Sequence, residues 1–265
     1  MLMQKQRRQL LLVFIAYHSS SLEVNRLEEC LGNLPVEIGY AVFVNDYKIG
    51  EPVERLKPKA DYFLVNKKNL GYGCAANKLI SCIRDMPKYV GVLNTDLSWL
   101  AGCFEVIVEW LELHPDVTLV VPQILNERGE HQKLCKQNPS ILALISRRFF
   151  FERFKPSWLK RYDCWYTMCD KDYMKVFEVS YLSGCCMVMR SDNFLAIGGF
   201  DERFFLYFED ADITRCLSTK GKCVHLPLAS VTHGWGRGSY NNISLMVVNI
   251  VSAGRYFLKW GIRLW

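Results

Sequence analysis

The constraint that weighs most on this chain is an alternation. The runs "LLLVFIA", "EIGYAVFV", "DYFLV", "YVGVL" and "TLVVPQI" are apolar on both faces of an extended backbone, and each ends near small or polar residues. A strand with no polar face belongs inside a sheet covered on both sides. Between them, "SLEVNRLEECLGNL" and "AGCFEVIVEWLELHPDV" carry apolar residues at helical spacing, with Gly32 and Pro115 at their stops, and a further helix is expected from about Ala75. Strand and helix in turn over the first ~120 residues predict an α/β fold, a mostly parallel, Rossmann-like central sheet with helices on both faces.

In such a sheet, ligands lie outside the carboxyl ends of the strands. That rule selects His18 and Ser19, Asn45 and Asp46, Asn69 to Gly73, and Asn94 to Asp96. From Glu130 to Glu178 the periodicity fades into an irregular aromatic and basic insertion, then recovers at "VFEVSYLSGCCMVMRSDNFLAIGGF". With 265 residues, half of them hydrophobic, the chain has enough apolar surface for a large core. Residues 1–125 and 126–235 read as two halves of the same compact unit, and 236–265 as an amphipathic helical tail.

The net charge of +6 is modest, but its positive residues cluster in "QKQRRQ", "SRRFFFERFKPSWLKRY" and "GRYFLKWGIRLW". Basic residues interleaved with rings suit an anionic membrane surface or nucleic acid, and read equally as solvated charge over an aromatic core. The start lacks the pattern of a signal peptide, and "LLLVFIAY" is too short to cross a bilayer, so a cytoplasmic protein is expected. Eleven cysteines without a Cys-x-x-Cys pair, several inside apolar runs, predict buried free thiols rather than disulfides or a zinc site.

Three motifs carry chemistry. In "LNTD", Asp96 ends a strand, where a carboxylate suits a hard divalent cation or, equally, a helix cap. "NLGYGCAANK" has neither dinucleotide nor phosphate-loop spacing, and reads as a loop open to a ligand or as a plain turn. In "FLYFEDADITRC", Glu209, Asp210 and Asp212 follow an apolar run. Carboxylates so crowded repel unless one has a partner, a metal or a raised pKa, and they would also suit the start of a helix. His233, in "VTHGWG", follows a strand and offers a further metal or phosphate contact.

The ordered set "AYHSS", "VND", "NLGYGCAANK", "LNTD", "GGFDERFFLYFEDADITRC" and "VTHGWG" resembles the inverting glycosyltransferase family 2, of GT-A fold, and within it the bacterial rhamnosyltransferase and galactofuranosyltransferase branch. The resemblance runs from about Leu10 to Gly236, and implies that residues 1–125 are the nucleotide-sugar-binding half and 126–235 the acceptor-binding and catalytic half. It implies a nucleotide-sugar donor, dTDP-rhamnose as first guess, and a lipid-linked or polysaccharide acceptor in cell-surface glycan synthesis, O-antigen included. By the same resemblance, Asp210 is the general base, with Glu209 beside it in the catalytic pair. Asp96 and His233 hold Mg²⁺ or Mn²⁺. Ala16, Tyr17, Asn45, Asp46, Asn69, Gly71, Asn77 and Asn94 bind the donor, and Asp212 and Trp235 meet the acceptor.

Two positions depart from the family pattern: Asn94 stands where the metal motif has its first acid, and the acid expected at Asn45 is displaced to Asp46. A one-residue shift turns a strand side chain to the other face. These departures favour a rival reading, a non-catalytic nucleotide- or glycan-binding relative acting in assembly, whereas the intact acidic segment favours an enzyme. Nucleic acid is not expected as a partner, because the acidic segment would line the cleft that a phosphate backbone must enter. The tail residues Arg255, Tyr256, Phe257, Lys259, Trp260, Arg263 and Trp265 suit either peripheral docking on the inner membrane face or packing on the core. Oligomerisation is left open.

Overall fold

In a computed structural model, described here for residues 8–234 and 243–265, the chain forms a single nine-stranded sheet in the order β3-β2-β1-β4-β8-β6-β9-β5, with β7 paired to β9. The strands are β1 (Leu10–Ala16), β2 (Ile38–Asn45), β3 (Tyr62–Asn66), β4 (Tyr89–Asn94), β5 (Leu97–Trp99), β6 (Val117–Leu125), β7 (Phe177–Glu178), β8 (Cys186–Arg190) and β9 (Lys222–His233). The first four pair in parallel, as the apolar runs predict. Beyond β4 the sheet becomes mixed, because β8 enters antiparallel between β4 and β6. The expected fifth parallel neighbour, β6, therefore sits one strand further out and pairs in parallel with β9 instead.

The helices are α1 (Ser21–Gly32), α2 (Tyr72–Ile80), α3 (Cys103–Leu113), α4 (Ile141–Phe149), α5 (Ser157–Tyr166), α6 (Ser191–Ala196), α7 (Glu209–Leu217) and α8 (Ile243–Trp260). Helix α1 starts with a reciprocal cap: the Ser20 hydroxyl accepts from the Glu23 amide, and the Glu23 carboxylate accepts from the Ser20 amide. Residues of β1, β2 and β4 are almost wholly buried, so the sheet centre is the core of the protein.

The insertion without clear periodicity folds around polar and aromatic groups, which is why no apolar repeat announces it. The buried Lys155 Nζ donates to Asp163 Oδ2 at 2.5 Å, and the Ser146 hydroxyl donates to the same oxygen at 2.7 Å, tying α4 to α5. Cys164 and Cys169 are joined as a disulfide, against the expectation of free thiols throughout; the other nine cysteines are free.

A second, smaller core of Tyr181, Phe204, Phe208, Ala211, Tyr256 and Phe257 seats α8 against α7. Both oxygens of Asp212 are committed there: Oδ2 accepts from Lys259 Nζ at 2.8 Å and Oδ1 from Trp260 Nε1 at 2.7 Å. Tyr256, Phe257, Lys259 and Trp260 thus serve packing, one of the two readings open for the tail. Their other side remains apolar and exposed: Ile243, Val247, Ile250 and Leu258 all face outward.

Replacing Asp212 with alanine leaves the Trp260 indole N–H without its acceptor and takes from Lys259 one of its two carboxylates, Asp201 Oδ2 remaining 3.0 Å from its Nζ. Lys259 keeps partial access to water, so the loss is smaller than for a fully buried pair, about 2–3 kcal/mol. Urea denaturation of Asp212→Ala should show the midpoint falling with the slope unchanged.

Candidate active site

The loop after β3 and the segment at Gly184 meet the turn that precedes α7, and the "FLYFED" turn is what brings the acids there. Tyr207 and Phe208 both have φ of +66°. Each such non-glycine residue costs of order 1–3 kcal/mol. Phe204 and Phe208 are buried in the second core, and burying a phenylalanine contributes about 1.5–3 kcal/mol, enough to hold the turn. The apolar run before the acids is therefore the anchor of a strained turn that starts a helix at Glu209.

Asp210 lies at that helix start, with Oδ1 accepting from the Ala211 amide at 2.9 Å and Oδ2 from the Gly184 amide at 3.2 Å. The Tyr181 hydroxyl and the Lys136 ammonium both favour its charged form. Gly184 lies close against this residue: a Cβ there would stand 3.1 Å from the Asp210 Cβ, a tight contact. Tyr72 fixes Gly184 in turn, its hydroxyl donating to the Gly184 carbonyl at 3.0 Å. Burial raises the Asp210 carboxyl above the usual aspartate range, although the amides, Tyr181 and Lys136 oppose the shift. Glu209 is pushed well above the glutamate range, first by burial and then by Asp210 beside it. Its Oε2 is buried with no hydrogen-bond partner.

The metal candidates converge as expected. His233 Nε2 lies 3.3 Å from Asp96 Oδ2, while Asp96 Oδ1 is buried without a partner. Gln132 steadies the imidazole from behind, with Oε1 3.3 Å from Nδ1 and Nε2 donating to the His233 carbonyl at 2.9 Å. A carboxylate oxygen left unsatisfied beside an imidazole suits a divalent cation such as Mn²⁺. Among the described residues no third side chain completes a metal cluster, so the remaining ligands of such an ion would come from the donor phosphates or water.

The donor candidates divide into two sets. Asn45 points inward: its Nδ2 donates to Asn69 Oδ1 at 2.8 Å and to the Gly71 carbonyl at 3.2 Å, and its Oδ1 accepts from the Leu70 amide at 2.8 Å. Asn45 and Asn69 are thus committed to shaping the "NLGYG" loop. Asn77 is likewise engaged, bonding both the carbonyl and the amide of Phe200. Gly71, at φ +84°, lets this loop touch the acidic turn, because a Cβ there would lie 2.1 Å from the Phe205 carbonyl oxygen. These residues hold the walls of the cleft rather than presenting free groups to a nucleotide.

The second set faces solvent. Asp46, at φ +61°, turns away from the strand, and its Oδ2 lies 3.1 Å from His18 Nε2. His18 Nδ1 is 2.9 Å from Glu51 Oε1, and the exposed Tyr17 ring packs on His18 at 4.4 Å. The displaced acid is therefore on the open side, and the positive φ resolves the face reversal that the one-residue shift implied. Ala16 is wholly buried at the end of β1, and Asn94 is partly buried at the end of β4. Asp212, expected at the acceptor, is instead buried and bound to α8; Trp235 lies outside the described residues. Tyr72, Tyr181, Gly184, Lys136 and Gln132 were not foreseen, since no local pattern marks residues that support a neighbour from another strand.

The chain is 30% identical over 177 residues to the N-acetylglucosaminyl-diphospho-decaprenol L-rhamnosyltransferase of two Mycobacterium tuberculosis strains, CDC 1551 / Oshkosh and ATCC 25618 / H37Rv, an alignment covering 62% of this chain. The chain spans only 56% of the length of those relatives. Among solved structures it resembles GalNAc-T7 with UDP, GalNAc and Mn²⁺, at a TM-score of 0.67 and 11% identity, covering 96% of this chain and 48% of that one. It also resembles the Pyrobaculum calidifontis mannosyltransferase PcManGT in complex with GDP-Man and Mn²⁺, at 0.62 and 12%, covering 96% and 64%. S. aureus TarS 1-349 superposes at 0.57 and 15%, covering 85% and 60%. No family model matches the chain. The fold is GT-A, and the resemblance drawn from the motifs is borne out.

A carboxyl whose pKa is raised on folding binds its proton more tightly in the native state, so stability falls as pH climbs from the ordinary glutamate value of about 4.3 toward the raised one. Glu209→Gln removes that loss. Thermal melts should show the variant more stable than the parent at pH 8, with the difference closing by pH 4.

Proposed function

We propose that this chain is a glycosyltransferase that moves a sugar, rhamnose as first choice, from a nucleotide-sugar to a lipid-linked glycan with inversion at the anomeric carbon. The observation that supports this reading is Asp210, a carboxylate of raised pKa held by two amides, together with the pairing of Asp96 and His233. The relative named as a rhamnosyltransferase acting on a diphospho-decaprenol acceptor supports the choice of substrates.

In this mechanism Asp210 accepts the proton of the attacking acceptor hydroxyl, a general-base role for which a raised pKa is suited. Glu209, buried and protonated over a wide range of pH, limits the charge that gathers beside it. Tyr181 and the Gly184 amide orient the Asp210 carboxylate. Asp96 and His233 would hold Mg²⁺ or Mn²⁺, which would neutralise the charge developing on the departing nucleoside diphosphate. Asp46, paired with His18, presents an outward-facing carboxylate for the ribose, and Tyr17 an exposed ring for the base.

Transfer assayed over a panel of nucleotide-sugars with a lipid-linked glycan extract should find one productive donor. Asp210→Asn should reduce turnover by about 10²–10⁴ while donor binding by calorimetry survives, and a chelator should abolish the activity of the parent. If no donor supports transfer even with the extract, the non-catalytic reading replaces this one.

Peripheral contact with the membrane fits a lipid-linked acceptor. Among the described residues no helix is long and apolar enough to cross a bilayer, but Phe149, Phe151 and Phe154 are each more than two-thirds exposed, among Arg147, Arg148 and Arg153. Rings and cations on one surface suit an anionic headgroup layer. Flotation with phosphatidylglycerol vesicles should be lost when all three phenylalanines become serine, and retained if the contact lies elsewhere.

A further inference from the structure

Helix α8 holds the acidic turn, and it does so from one side only. The Ser252 hydroxyl donates to the Leu206 carbonyl at 2.8 Å, and the Arg255 guanidinium donates to the Arg203 carbonyl. Lys259 Nζ donates to Asp201 Oδ2 at 3.0 Å as well as to Asp212. Tyr256 and Phe257 pack there with Phe204 and Phe208. These contacts reach the chain before, within and after the pair Tyr207 and Phe208, whose φ is positive.

The opposite side of α8 is a different surface. Ile243, Val247, Ile250, Val251 and Leu258 are all exposed, and at 3.6 residues per turn they fall in one stripe about 100° wide. An apolar stripe of that width normally faces a core. Arg148 of α4 donates to the Met246 sulfur at 3.0 Å, and the Ile141 and Leu142 amides donate to the Arg263 and Leu264 carbonyls at 2.9 Å. Helix α4 and the segment after α8 therefore lie against α8, and that segment adds the exposed Ile262 and Trp265.

Charge indicates what covers the stripe. Residues 243–265 contain Arg255, Lys259 and Arg263 and no acid, and residues 141–162 contain six Lys and Arg against Glu152 alone, whereas the whole chain carries only +6. A second copy of the same surface would bring like charge against like. An anionic lipid layer accepts both features together: apolar side chains enter the acyl boundary, and flanking cations meet the headgroups.

We propose that the outer stripe of α8 rests on an anionic lipid surface, and that this seating steadies the turn that carries Asp210. The surface extends beyond the α4 phenylalanines already assigned to membrane contact, and it gives that contact a consequence for the site. The inner side of α8 stays engaged with the turn while the outer side meets lipid, so binding favours the docked helix over an opened one. The inference rests on the transferase reading only for its effect on turnover.

Val247→Ser, Ile250→Ser and Leu258→Ser change exposed side chains and leave every inner contact in place. Partition into phosphatidylglycerol vesicles should fall about ten-fold for each, and the parent should bind phosphatidylcholine more weakly. The Phe204 and Asp212 amides, bonded to the Asp201 and Phe208 carbonyls, report opening of the turn by hydrogen exchange. Their exchange should slow about ten-fold in the parent when lipid is at about ten times its dissociation constant, and not in the triple variant. With a water-soluble acceptor, vesicles should raise turnover of the parent several-fold and leave the triple variant at the basal rate that both share without lipid.

Parent-like vesicle binding by the triple variant would overturn the docking and leave the α4 phenylalanines as the contact. Unchanged or faster exchange in the turn of the lipid-bound parent would overturn the coupling. A dimer in sedimentation velocity that the triple variant loses would make the stripe a contact between copies and overturn the lipid assignment. Failure of transfer with every donor would count against the transferase reading alone, because binding and exchange decide the docking without turnover.

Discussion

Burial of Phe204 and Phe208 against α8 is the contact on which the site depends. Two consecutive residues in the left-handed region will not hold that conformation alone, because an L side chain there crowds the backbone. Packed in the second core, they turn the chain so that α7 begins at the cleft with its carboxylates foremost. Asp212 makes the arrangement reciprocal: α7 holds α8 through Lys259 and Trp260, and α8 supplies Tyr256 and Phe257 to the core that holds the turn. A segment remote in sequence thereby supports the placement of Asp210.

The same turn is joined to the opposite wall. Gly71 permits the "NLGYG" loop to approach Phe205, the Tyr72 amide donates to the Phe205 carbonyl at 3.0 Å, and the Tyr72 hydroxyl reaches Gly184. Asn45 pins that loop to the end of β2. The parallel half of the sheet and the acidic turn are therefore connected through a backbone bond from Tyr72 to Phe205 and through the side chains of Tyr72 and Asn45. Electrostatics then separates the roles within the cleft. Glu209 and Asp210 share a buried helix start where at least one proton is favoured, while Asp96 retains a free oxygen beside His233.

Much of this was readable from the chain. The apolar runs located β1 to β4 and the polar residues at their ends, and the acidic segment marked Asp210, because periodicity and local charge are written in adjacent residues. Helix α2 begins at Tyr72, a few residues ahead of the expected start, since Gly71 provides the turn. The insertion of β8 between β4 and β6 was not readable, because strand order depends on contacts between segments nearly a hundred residues apart. The region from 130 to 178 was opaque for another reason: its interior is built on Lys155, Asp163, Ser146 and aromatic rings, which leave no apolar period.

At the level of single residues the division is sharper. Composition and pattern sufficed for an α/β sheet with ligand groups at its carboxyl edge, and for the acids after "FLYF", because burial and periodicity are properties of a local stretch. Whether a given polar side chain faces the ligand or the protein was decided only by the fold. Asn45, Asn77 and Asp212 found internal partners, whereas Asp46 was turned outward by its positive φ. Lys136 acquired its setting from Tyr181, which is not near it in a motif. A hydrogen bond or a desolvated charge is set by what stands within a few ångströms, and folding alone brings distant residues that close.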